Sequence, residues 1–223
     1  MSLHTLRSTL LASFALSMVA FAQPNVTVDT IYQVRYVANQ NLGDSVINIT
    51  NSGARGAGLA AGTTAATTGA ICVNVYAFSP DEQMISCCSC AVTPNGLVSL
   101  SARRDLVNNT LTPAVPTAIV VKLLASTPIV GKTTSTCVGS AATAGPADLT
   151  PGMLAWGTTV HAGAAPGSEA AITETQFLPA TLSMGNVSEL DRLTRLCTFI
   201  NANGSGFGVC SSCRLGGLGA GRL

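Results

Sequence analysis

Eight cysteines constrain this chain more than any other feature, because their number is even and all of them lie between residues 72 and 213. In an oxidising compartment such a set forms disulfide bonds. Each bridge would stabilise the fold by about 2–4 kcal/mol. The candidates are Cys72, Cys87, Cys88, Cys90, Cys137, Cys197, Cys210 and Cys213.

The N-terminus predicts export into such a compartment. His4 and Arg7 precede an uncharged run from Ser8 to Ala20, and Ala20-Phe21-Ala22 supplies the small residues of a cleavage site. We therefore expect residues 1–22 to be a signal peptide and the mature protein to be secreted, at the cell surface, in the periplasm or in the medium. The run is shorter than the roughly 20 apolar residues of a membrane helix, and we expect no membrane span in the mature chain.

The charge balance of the mature chain excludes one class of partner. Eleven Lys and Arg residues less Arg7 leave ten, against ten Asp and Glu, and no basic run could follow a track of phosphates. Nucleic acid is therefore not an expected partner. Only 9% of residues are charged, where about a quarter is usual, and a net charge near zero favours self-association.

The spacing of the cysteines leaves their pairing open. Cys87 and Cys88 would leave a strand on opposite faces and are expected to take different partners. The alternative is a zinc site built from the pairs Cys87–Cys90 and Cys210–Cys213, which have ligand-like spacing. Export favours disulfides over that site, and we expect neither a metal nor a cofactor.

The remaining pattern predicts an antiparallel β-sandwich, immunoglobulin-like in general architecture, because short β-branched segments alternate with Gly, Pro and Asn turns. We expect residues 26–37 and 45–51 to form a hairpin, 117–125 to be a buried central strand, and Trp156 to be a core aromatic. The other predicted strands are 71–78 and 84–90, side by side, then 97–101, and the pair 153–162 and 171–183.

We expect one domain over residues 23–213, with flexible inserts at 51–70 and 133–151 and a Gly-rich tail at 214–223. Near its end, apolar residues recur at helical spacing after Ser188, a plausible N-cap. This predicts an amphipathic helix that packs on one sheet and is bridged from Cys197 to Cys210 or Cys213; a partner-binding helix is the alternative.

Several segments of the chain form a recognisable pattern: residues 72–83, Cys87-Cys88-Ser89-Cys90, 93–95 and 109–113, and the ending Cys-x-x-Cys-Arg-Leu-Gly-Gly. In these segments the chain resembles a family of uncharacterised secreted proteins from environmental bacteria. The resemblance implies export and paired cysteines. It brings no activity and no functional residue.

Catalysis has little basis in this sequence. The mature chain has a single histidine, His161, which is expected at an exposed turn. Asp81 and Glu82 are adjacent turn residues that point apart, unlike the paired acids of a glycosidase. Three oxygen-bearing residues, Asn39, Asn41 and Asp44, would make a poor calcium site.

We therefore expect a non-catalytic structural or assembly component of the cell surface or extracellular matrix. A binding module for carbohydrate or a surface partner is the second hypothesis, although few aromatic rings are present to stack on sugars. A thiol or metal-binding protein is the third.

Overall fold

The computed structural model describes residues 31–57, 68–107, 115–129, 137–163, 168–203 and 208–210, so the predicted signal peptide and the tail lie outside the described residues. The strands are β1 (Tyr32–Val37), β2 (Val46–Asn51), β3 (Ile71–Phe78), β4 (Met84–Val92), β5 (Leu97–Ser101), β6 (Ile119–Ser126), β7 (Met153–His161), β8 (Ala171–Gln176), β9 (Leu178–Pro179) and β10 (Gly208–Val209). The α-helices are α1 (Ser140–Thr143) and α2 (Glu189–Ala202), and shorter helical turns span Ala102–Val107 and Pro146–Asp148.

The strands form two sheets, which confirms the predicted mainly β fold. The six-stranded sheet has the order β10-β4-β3-β6-β1-β9 and is antiparallel except for the pair β10 and β4. The four-stranded sheet has the order β5-β2-β7-β8 and is antiparallel throughout. The C-terminal amphipathic helix and the disulfides complete the predicted fold class.

Two hydrophobic cores lie on the two faces of the six-stranded sheet. One core, which includes Ile47 and Val73, fills the space between the sheets, and the other, which includes Tyr76 and Leu193, lies under α1 and α2. All eight residues of β3 are buried as a result. The central-strand prediction is also confirmed, because β6 lies between β3 and β1.

The predicted hairpin between the first two strands is wrong. β1 pairs with β6 and β9, whereas β2 pairs with β5 and β7 in the other sheet. The segment between them therefore crosses from one sheet to the other, held where the Gln40 N–H donates to the Thr117 carbonyl at 2.8 Å. An Asn- and Gly-rich turn serves a hairpin and a crossing equally well, and only the distant pairing partners distinguish the two.

Helix α2 confirms the predicted amphipathic helix and packs on the six-stranded sheet. Ser188 is its N-cap, and the Ser188 hydroxyl accepts a hydrogen bond from the Asp191 N–H at 3.2 Å. Lys122 reaches up from β6 to the Glu189 carboxylate at 2.5 Å, and its ammonium lies 4.8 Å from the centre of the Phe78 ring. The helix start is therefore fixed to the sheet by charge as well as by packing.

The prediction of Trp156 as a core aromatic is wrong. Met153 and Ala155 of β7 are buried in the core between the sheets, whereas Trp156 lies on the opposite, outer face and is partly exposed. The inner face of β7 continues with Gly157, where a Cβ would come within 2.5 Å of the Arg35 Nε atom. The guanidinium of Arg35 thus fills the space that a larger β7 side chain would occupy.

Candidate functional site

Three disulfides connect the central sheet to the C-terminal half of the chain. Their Cα–Cα distances are 5.4 Å for Cys72–Cys137, 5.7 Å for Cys87–Cys197 and 5.1 Å for Cys88–Cys210, all within the usual range for disulfides. Cys90 is also disulfide-bonded, and Cys213 lies outside the described residues. The bridges join β3 to the segment before α1, and β4 to both α2 and the residue after β10.

Strand β4 is the centre of this covalent framework. Cys87 belongs to the core under the helices, while Cys88 belongs to the core between the sheets. The prediction that these neighbours take different partners is confirmed. The predicted bridge from Cys197 to Cys210 or Cys213 is wrong, because α2 crosses the face of the sheet where Cys87 points, and Cys210 meets Cys88 on the other face.

The zinc alternative loses its ligands in this arrangement. A structural zinc site needs thiolates, and the sulfur atoms of Cys87, Cys88, Cys90 and Cys210 are already in disulfide bonds. In the part of the chain that the structure describes, no group of three or more His, Cys, Asp or Glu residues is placed to hold a metal ion.

The polar residues considered for catalysis belong to different sheets. His161 ends β7, and its Nε2 atom lies 2.8 Å from the Thr173 hydroxyl of β8. Asp81 and Glu82 lie in the turn between β3 and β4, where the Asp81 carboxylate accepts from the Ser79 hydroxyl.

The residues weighed as a calcium site also have other roles. The Asn39 amide donates to the Val160 carbonyl at 2.9 Å, so its side chain ties the crossing segment to β7. The Asp44 carboxylate accepts hydrogen bonds from the Arg103 N–H at 2.9 Å and from the Ser101 hydroxyl. Asp44 therefore caps the turn that follows β5.

A buried polar chain, which the sequence analysis missed, crosses the six-stranded sheet. The Ser89 hydroxyl donates to the Asn74 carbonyl oxygen at 2.8 Å, and the Asn74 amide donates to the Ser126 hydroxyl at 2.9 Å. Ser126 and Ser140 share a hydrogen bond of 2.9 Å, so the chain ends on α1. Four buried polar side chains thus satisfy one another, and their role is to seat α1 on the sheet.

Arg35 is a second feature that the sequence analysis missed. It is only 9% exposed and points between the sheets, where it donates to the Thr175 carbonyl at 2.8 Å and to the Thr159 hydroxyl at 3.0 Å. Burial lowers the pKa of its guanidinium, and the nearby Glu174 carboxylate opposes that shift. Arg35 thereby ties β1 of one sheet to β7 and β8 of the other.

Strand β8 forms an open edge of the four-stranded sheet. All six of its residues are exposed, and it pairs with β7 along its whole length without a bulge. Among the described residues it has no partner strand on its other side. One large apolar side chain lies on this edge, that of Ile172, which is 66% exposed.

The outer face of the four-stranded sheet carries the only tryptophan of the chain. Trp156 lies in one cross-strand row between Asn48 of β2 and Gln176 of β8, and side chains directly opposite one another share a face. The Asn48 amide donates to a Glu174 carboxylate oxygen at 2.7 Å, and its carbonyl oxygen accepts from the Ser99 hydroxyl at 2.6 Å. We call Trp156, Asn48, Glu174 and Gln176 the outer-face cluster.

Comparison with protein-family models, with curated proteins and with solved structures gave no match for this chain. None of the helices within the described ranges is long and apolar enough to cross a membrane.

Proposed function

We propose that this protein is an exported, non-catalytic structural component that assembles at the cell surface or in the extracellular matrix through the open edge of β8. The observation that carries the proposal is that edge: a full-length strand with every residue exposed and one side of its backbone unpaired within the described chain. An unprotected strand edge is a template for pairing with another strand.

Among the described residues, the edge of β8 has little protection against such pairing. Proteins protect edge strands with proline, charged side chains, above all lysine, bulges or a covering element. β8 has the sequence Ala-Ile-Thr-Glu-Thr-Gln, whose one charged residue is Glu174, and its register with β7 is unbroken. The other sheet edges offer less to a partner strand. β9 and β10 are two residues long, and all residues of β5 except the first are buried.

The occupant that the chemistry favours is β8 of a second copy. In an antiparallel pair centred on Thr173, Ile172 of one copy lies opposite Glu174 of the other, so no like charges face each other. The formally neutral mature chain adds little long-range repulsion. Disulfides that join the six-stranded sheet to α2, to the segment before α1 and to the residue after β10 suit a component that must persist outside the cell.

Sedimentation of the native protein over a range of concentrations tests the proposal. We expect a dimer or larger species, and we expect Ile172→Glu to weaken association by about tenfold or more, because it places two carboxylates opposite each other and removes an apolar contact. Leu97→Glu is the matched control, since it adds the same charge to the opposite edge of the same sheet, where Leu97 is also exposed.

Two outcomes contradict the proposal. One is a protein that stays monomeric at millimolar concentration, and the other is an equal loss of association in both variants. Fractionation of native cells tests the compartment separately: we expect the protein outside the cytoplasm with all eight cysteines oxidised. Cytoplasmic protein with free thiols would overturn the exported role.

A further inference from the structure

The outer-face cluster has an unusual composition for the solvent side of a sheet. β7 carries Leu154 and Trp156, its largest side chain, on the outer face, whereas Met153, Ala155 and Gly157 lie toward the core. An indole ring that would contribute more to stability if fully buried is instead kept partly exposed on the outer face of the sheet. The core does not need this ring, because Arg35 fills the space below Gly157.

The polar groups around the ring are held in place and remain partly available. Asn48 is fixed on both sides, by Glu174 at 2.7 Å and by Ser99 at 2.6 Å. The hydrogen bond from Asn48 occupies one carboxylate oxygen of Glu174. Among the described residues, the second carboxylate oxygen of Glu174 and the side-chain amide of Gln176 have no hydrogen-bond partner. The surface thus offers a ring, a hydrogen-bond acceptor and an amide that both donates and accepts, all within two neighbouring rows of the sheet.

We propose that the outer-face cluster binds a linear neutral glycan, with one hexose ring stacked on Trp156 and its hydroxyl groups bonded to Glu174 and Gln176. The faces of equatorially substituted sugar rings are apolar C–H surfaces that stack on aromatic rings, and their edges carry hydroxyls that pair with carboxylates and amides. The open outer face of a sheet accommodates an extended chain rather than an enclosed single sugar.

Charge selects among glycans at this surface. Glu174 is the one ionised group of the cluster, and the positive guanidinium of Arg35 lies on the other face of the sheet. A polyanionic glycan would place its carboxylates or sulfates next to Glu174 and be repelled. A neutral chain, such as a β-linked glucan, meets no such repulsion.

The single tryptophan makes the test direct, because intrinsic fluorescence excited at the indole band reports on Trp156 alone. Titration of the native protein with cello-oligosaccharides should change this emission and release heat in calorimetry. We expect Trp156→Ala to weaken binding measured by calorimetry by about tenfold or more, with Trp156→Phe in between, and Glu174→Gln to weaken it severalfold.

Tyr36→Ala is the matched control, because Tyr36 is an exposed aromatic at 62% on the six-stranded sheet. Its binding should equal that of the native protein. The proposal is overturned if neutral oligosaccharides give neither heat nor a fluorescence change, if Tyr36→Ala loses as much as Trp156→Ala, or if Glu174→Gln, with native circular dichroism, binds as well as the native chain. Self-association is measured separately, so either proposal can fail without the other.

Discussion

Two buried tyrosines in the core under the helices make the stability of the fold depend on pH in the alkaline range. Burial is the main cause that raises the pKa of both Tyr32 and Tyr76 well above the ordinary value of 10, and the Glu189 carboxylate adds to the shift at Tyr32. The Tyr76 hydroxyl also donates to the Ala141 carbonyl at 2.9 Å. Both phenols therefore stay protonated in the folded protein at a pH where the unfolded chain loses these protons.

The free energy of unfolding should accordingly be unaffected by these groups below pH of about 10 and fall above it. Each tyrosine contributes a loss of about 1.4 kcal/mol per pH unit, because the unfolded state releases a proton that the folded state retains. Urea unfolding at successive pH values measures the slope. Tyr32→Phe should remove about half of it, and an unchanged slope in that variant would contradict the assignment.

At the same scale, the location of Trp156 shows what a sequence pattern cannot decide. Residues 153–161 alternate, and the face with Leu154, Trp156 and Val160 is the more apolar one, so pattern alone places it inward. The opposite holds because Arg35, distant in sequence, occupies the inner side. Gly43 of the crossing segment covers Val160 on the outer face, where a Cβ would approach it to 3.1 Å.

Among the elements, those set by local sequence could be predicted and those set by distant partners could not. α2 follows from its apolar spacing and its Ser188 cap, and β3 and β4 follow from strands separated by a short turn. The sheet to which β1 and β2 each belong depends on β6 and β7, which are distant in sequence. The open edge of β8 likewise depends on strand order, which no local pattern determines.

The disulfides that join the elements allow a prediction in which the bridge with the longer sequence separation contributes less to stability. Cys87–Cys197 spans 110 residues and Cys72–Cys137 spans 65. The adjacent bridge Cys88–Cys210 already closes nearly the same loop as Cys87–Cys197, so in the unfolded chain the latter closes a further ring of only about 14 residues. Replacing Cys87 and Cys197 by alanine should therefore cost about 3 kcal/mol, and replacing Cys72 and Cys137 about 4 kcal/mol.

Guanidinium unfolding of the two double variants compares these costs. The pairs are well matched, because all four cysteines are buried and each replacement removes two sulfur atoms. A larger loss for the Cys87 and Cys197 variant, in the order of sequence separation, would show that the neighbouring bridge does not share its loop.

At the scale of the whole molecule, the two proposed surfaces meet on β8. In the proposed assembly its backbone edge pairs with a second copy, while Glu174 and Gln176 belong to the outer-face cluster. A two-fold axis perpendicular to the sheet would join two four-stranded sheets into one and place both clusters on the same side. Strand spacing and residue rise put the two Trp156 rings about 25 Å apart in the pair centred on Thr173.

A long glycan could then contact both clusters at once, and the second contact would form at high effective concentration. We expect Ile172→Glu to leave the affinity for a short oligosaccharide unchanged and to weaken binding to the long polymer by about tenfold or more. Leu97→Glu should bind both as the native protein does. Affinity electrophoresis in polymer gels, beside calorimetry with the short chain, measures the two affinities. A parallel loss of both in Ile172→Glu would mean that this residue contacts the glycan itself and that assembly adds nothing to binding.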